Sequence, residues 1–127
     1  MLYQCDVGRH ESEDVVEIYW EMNEHPPKVQ EFANQLFLGT LSRLKEIDRY
    51  IQQHAKNWRL SRMAAVDRNI LRLAAFELMS DCKTPGTVVI NEALEIAKKY
   101  STHESAQFVN GVLDSIKNNL KKKEVLE

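Results

Sequence analysis

Between Lys28 and Ala55 the apolar residues recur at steps of three and four: Val29, Ala33, Leu36, Phe37, Leu41, Leu44, Ile47 and Ile51. On a helix this spacing makes one continuous stripe, whereas on a strand it would scatter over both faces. The spacing predicts one long helix over 28–55, with Arg43, Lys45, Glu46 and Arg49 off the stripe and facing water. The same period returns at Val66, Ile70, Leu73 and Ala74, broadened by Leu71, Ala75 and Leu78, which predicts a central helix touched on several sides. It returns again at Val89, Ala93, Ile96, Ala97 and Tyr100. No segment alternates apolar and polar residues for long enough to make a convincing strand.

The rest of the chain fits the same pattern. A short helix is expected from Met1 to about Asp6, stopping near Gly8. A second, from Glu13 to about Glu24, carries Val16, Tyr19 and Trp20 on one side and ends at His25-Pro26-Pro27, where proline cannot continue the ladder. Trp58-Arg59-Leu60 opens a short segment, Val66–Met79 follows, and Asp81–Gly86 reads as a loop with Pro85-Gly86 as its turn. After Val88–Tyr100, Ser101-Thr102-His103-Glu104 fits a capping box, in which a hydroxyl and a carboxylate satisfy the first free amides, and the last helix runs to about Leu120. With 127 residues, four Gly and three Pro, the chain suits one domain and is too poor in turn residues for a sandwich. The predicted fold class is all-α: a compact domain of six to seven helices.

The final helix has two distinct sides. At 100° per residue, Val109, Val112, Leu113, Ile116 and Leu120 cluster as the core stripe, and Phe108 falls about 100° from its centre. Glu104, Gln107, Gly111 and Ser115 lie beyond Phe108, away from the core. A glycine inside a helix costs roughly 1 kcal/mol against alanine. Two readings stay open at this point: Gly111 lets another helix approach while Phe108 fills the edge of a groove, or the pair forms a docking surface for a stacked base or another chain.

Several functions are excluded. His10, His25, His54 and His103 are scattered with no metal-ligand spacing, so no metal or cofactor is expected. Gly8, Gly39, Gly86 and Gly111 are single, so there is no phosphate loop, and no G-x-S-x-G occurs. Glu92 and Glu95 share a helix three apart and read as a solvated face, so no catalytic residues are expected. Cys5 and Cys82 sit in no CxxC pattern, which fits two ordinary thiols in a reducing cytoplasm. No apolar run approaches the roughly 18 residues of a membrane span, so no membrane is expected as a partner. The net charge of −2 lacks the basic excess of a free-standing nucleic-acid binder. The chain is expected to bind rather than to catalyse.

Three motifs then occur in order: DRNILRLAAFEL (Asp67–Leu78), VVINEALEIAKKY (Val88–Tyr100) and FVNGVLD (Phe108–Asp114). Together they resemble the bacterial transcription antitermination factor family NusB, and LYQCD (Leu2–Asp6) is similar to the end of that family's first helix. The resemblance implies two packed helical sub-bundles in one domain, at about 1–56 and 57–120, with a basic tail at 121–127. It implies pairing with NusE, a small-subunit ribosomal protein, and binding to boxA RNA of nascent ribosomal RNA transcripts. Other Nus factors and RNA polymerase complete the antitermination complex. By the same resemblance, Tyr3 and Asp67 belong to the NusE contact, and Phe108 belongs to the RNA contact with Glu104 and Gln107 beside it. Asn110 and Gly111 belong to the family motif, with helix packing their first role and RNA their second. Lys98, Lys99 and the tail Lys121-Lys122-Lys123 read as solvated positions.

The chain departs from the family at its start, where members carry an arginine-rich segment leading into the first helix. Phosphate contacts supply much of nucleic-acid affinity, so weak RNA binding is expected of these 127 residues. An uncovered apolar surface around Val16, Phe32 and Leu36 is also expected, favouring a homo-oligomer or a loosened amino-terminal half. Two alternatives keep the resemblance and change the function. One is the NusB-like RNA-binding module of some ribosomal RNA cytosine methyltransferases, which would continue into a cofactor domain with catalytic cysteines. The other is a NusE-binding scaffold with little RNA affinity.

Overall fold

Each apolar stripe needs a partner surface, and the long third stripe finds its partners only by breaking. A computed structural model describes Leu2, Tyr3, Asp6 and residues 27–55, 63–80 and 85–126, without the side chains at 29, 32 and 122–126. Among these residues there are five helices and no strand: α1 (Pro27–Ser42), α2 (Leu44–His54), α3 (Ala65–Met79), α4 (Gly86–Tyr100) and α5 (His103–Leu126). Leu2, Tyr3 and Asp6 also have helical backbone. The fold is all-α as expected. The expected segments at 13–24 and 58–60, the Asp81–Thr84 part of the loop, both cysteines and the side chain of Phe32 lie outside the described residues, so the count of six to seven helices is matched only by these five.

The predicted single helix over 28–55 is two helices. Arg43 leaves the helical region at φ −116° and ψ 21°. Just before it, the Thr40 hydroxyl donates to the Leu36 carbonyl at 2.6 Å and the Ser42 hydroxyl to the Gly39 carbonyl at 2.8 Å. Hydroxyls that bond back to carbonyls of the preceding turn compete with the ladder and bend it. The break separates two packing tasks. Phe37 of α1 packs with Leu2, Leu41 and Leu73, whereas Ile47 and Ile51 of α2 enter the main core.

That core gathers Ile47, Ile51, Leu71, Val109, Leu113 and Ile116, all fully buried. Helix α3 packs on α1, α2, α4 and α5, which explains why its apolar stripe is so broad. Helix α1 comes close to α3 at Gly39, where an added Cβ would sit 2.5 Å from the Phe76 Cζ. Helix α5 begins one residue later than the expected capping box allows. Thr102, not Ser101, accepts the Ser105 amide at 3.0 Å, so Glu104 has no role as the box carboxylate. The helix then continues to Leu126, past the expected end near Leu120.

Candidate partner and nucleic-acid surfaces

The side of α5 opposite the core is open. Glu104, Gln107 and Gly111 are exposed, and a Cβ built on Gly111 meets nothing within 4 Å. Of the two readings left by the sequence, close approach of another helix at Gly111 is therefore not seen among the described residues. Phe108 is half-buried and packs against the core, so its ring roots the flank instead of standing free on it. Gln107 Nε2 lies 3.4 Å from His103 Nε2. Ser115, also placed on this side by angle, is not bare: its hydroxyl lies 2.7 Å from Nδ1 of His54 on α2. His54 meets the Tyr50 ring edge-on, with centroids 5.0 Å apart, and Tyr50 donates from its hydroxyl to Asn119 Oδ1 at 2.6 Å. Helix α2 thus forms one border of the open flank, a role no motif around His54 or Tyr50 announced.

The two residues assigned to a protein partner lie apart from that flank. Tyr3 is 49% exposed, beside α3. Asp67 stands in the first turn of α3 and is only 7% exposed. Its Oδ1 is buried, and among the described residues it has no hydrogen-bond partner. A buried oxygen without a donor costs about 1–3 kcal/mol. The positive end of the α3 dipole offsets part of that cost.

A polar clasp next to Tyr3 holds this region in place. Asp6 Oδ2 accepts from Arg68 Nε at 2.8 Å, Asn69 Nδ2 at 3.0 Å and Arg72 Nη1 at 3.2 Å. Arg72 also grips Asp48 of α2 with both ends of its fork, at 2.8 and 2.9 Å. Burial alone would raise the Asp6 carboxyl, but the hydrogen bonds from Arg68 and Asn69 and the charges of Arg68 and Arg72 hold it below its ordinary value. The sequence signal was available: Arg68 and Arg72 stand one turn apart on a mostly apolar helix.

Among the described residues, no group of three or more His, Cys, Asp or Glu side chains could hold a metal, and no helix is long and apolar enough to cross a membrane.

Comparison with known proteins places the motifs and the fold in one family. The pattern of the NusB family matches residues 1–118. The transcription antitermination protein NusB of Koribacter versatilis is 50% identical over 117 residues, covering 91% of this chain and 80% of its own. That of Sorangium cellulosum is 42% identical over 120 residues, covering 94% and 86%. Among solved structures, NusB of T. maritima superposes with a TM-score of 0.83 at 39% identity, covering 92% of this chain and 82% of that one. A crystal structure of antitermination factors NusB and NusE in complex with double-stranded RNA matches at a TM-score of 0.83 and 31% identity, covering 93% and 88%.

Proposed function

The chain belongs to the NusB family, and on that premise we propose that it pairs with NusE and binds boxA RNA in the cytoplasm, within an antitermination complex of RNA polymerase and other Nus factors. The family's members are binding factors, and no reaction is assigned to this chain. The observation that carries the RNA assignment is the open flank of α5. Gly111 leaves room for a visiting strand, half-buried Phe108 borders it, and Glu104 and Gln107 supply polar groups. A base can stack on an aromatic ring while its polar rim bonds to side chains. NusE is assigned to the face with Tyr3 and Asp67. There Tyr3 is 49% exposed and open to a partner, whereas Asp67 is buried behind the surface.

One observation favours the scaffold alternative: the flank itself offers Glu104, Gln107 and bare backbone at Gly111 rather than cations. RNA binding by the chain alone is accordingly expected to be weak, with most affinity appearing in the NusE complex.

The test is fluorescence anisotropy of labelled boxA RNA with the chain, with NusE and with both. Tight, salt-sensitive binding is expected only for the pair. Gly111→Leu fills the open flank without touching the core and should weaken that binding at least tenfold while NusE capture is retained. Unchanged RNA binding by Gly111→Leu would reject the α5 flank. Capture of NusE with no RNA binding at all would leave the scaffold reading in its place.

A further inference from the structure

Glu104, Gln107, Phe108 and Gly111 on the α5 flank include no cation, yet phosphate contacts supply much of the affinity for a nucleic acid. The fold shows where that flank leads. At 100° per residue, Phe108, Ser115 and Asn119 fall within about 40° of one another around α5, so they form one edge of it, about 16 Å long at 1.5 Å per residue. Helix α2 packs along this edge, with His54 against Ser115 and Tyr50 donating to Asn119. Tyr50 also lines a cleft of about 380 Å³ between α2 and the far part of α5. One residue thus joins the edge of the flank to the cleft.

The cleft lining is of two kinds. Met79 of α3 and Leu120 of α5 supply apolar surface. Arg43, Glu46, Tyr50 and Gln53 follow one another at steps of three and four, with Arg49 beside them, and turn one face of α2 into the polar side. Arg43 grips Glu46 with both ends of its fork, at 3.0 and 3.1 Å, so those two charges offset each other. The charge of Arg49 is left over. Arg49 is exposed, and although Glu46 feels its field, it makes no hydrogen bond or ion pair among the described residues. Gln53 is exposed and equally unbonded among them. A guanidinium fork matches the oxygens of a phosphate, and a ring with apolar surface beside it suits a base or a ribose.

The geometry points to a phosphate-receiving subsite in this cleft, where Arg49 takes a phosphate of the same RNA strand that crosses Gly111 and Gln53 bonds to the adjoining nucleotide. The subsite rests on the RNA reading of the α5 flank and supplies the cation which that flank lacks. It shares no residue with the face given to NusE.

The test is anisotropy of labelled boxA RNA with the chain paired to NusE, repeated over a series of salt concentrations. Arg49→Gln should weaken binding at least about fivefold and lower the slope of log affinity against log salt by about 1, because one phosphate contact is gone. Arg49→Lys keeps the charge and should restore the slope. The control is Lys98→Gln, an exposed position of α4 outside the cleft lining, where loss of the same charge should change affinity less than about twofold. NusE capture and the thermal transition should be unchanged in all three variants. An Arg49→Gln variant that binds RNA as before overturns the subsite, as does a Lys98→Gln variant that loses as much. Loss of NusE capture by Arg49→Gln overturns it as well and gives the cleft to the protein partner. Failure of the underlying reading looks different. Loss of RNA by Gly111→Leu without loss by Arg49→Gln removes the cleft alone, whereas a wild-type pair with no affinity for boxA removes both.

Discussion

The open flank of α5 and the groove between α1 and α4, with α3 as its floor, are both uncovered among the described residues, yet they were built by opposite rules. The flank is polar, with exposed Glu104 and Gln107 and empty space over Gly111. The groove is apolar, with Ile96 and Tyr100 left exposed on α4 while Val89, Ala93 and Ala97 of the same helix are buried. A polar flank is stable in water as it stands, so its openness costs the fold little. An apolar groove gives up the burial energy of every side chain it leaves wet, at about 25 cal/mol per Å². Openness alone therefore says little about function, and the case for the α5 flank rests on the space over Gly111 occurring together with Phe108, Glu104 and Gln107. The two glycines of the helical packing repeat the contrast: Gly39 is held against Phe76, and Gly111 faces nothing.

The contrast can be tested by substitutions on either side of it. The largest effect belongs to the core that both surfaces share. Leu113→Ala, at a fully buried position of α5, should cost about 2–5 kcal/mol in urea unfolding. A loss near zero would mean that α5 is not anchored as described. Next comes the clasp beside the groove. Arg72→Met removes one cation from Asp6 and the whole fork from Asp48, and about 3 kcal/mol of stability should go with it at pH 7. The pH dependence has a definite sign. The Asp6 carboxyl is lowered in the fold from 3.8, so it stabilises the native state above that value and loses this contribution as pH falls through the lower native one. Thermal melts should show the gap between wild type and Arg72→Met narrowing in that acid window. The smallest effect is on the flank: Gly111→Ala should add up to about 1 kcal/mol, because the helix gains rigidity and the methyl meets no neighbour. A destabilised Gly111→Ala would show that the flank is closed in solution.

Most of the flank was legible in the sequence. The 3.6-residue period of α5 separates core positions from Glu104, Gln107 and Gly111 by angle alone, and the structure leaves those three exposed. Ser115 is exposed as its angle predicts, and what the angle does not encode is the pairing of its hydroxyl with His54 on another helix. Asp67 is the sharper case. As a charged residue in a first helical turn it reads as exposed, and packing around α3 buries it to 7%. The break at Arg43 was hidden for a related reason. The apolar stripe runs through it without interruption, and the hydroxyl bonds of Thr40 and Ser42 that bend the helix are local choices which hydrophobic spacing does not encode.

The periodicity of the apolar residues determined the all-helical class and the two sides of each helix, because a side chain's angle around its own axis depends only on its place in the chain. The ordered motifs from Asp67 to Asp114 determined the family. Tertiary packing decided which apolar stripes would be covered. The stripe on α5 is sealed by α3 and α4, while the Ile96 side of α4 looks equally like core in the sequence and is left facing the groove. Periodicity reports that a face needs a partner, and only the arrangement of the other helices shows whether one is there.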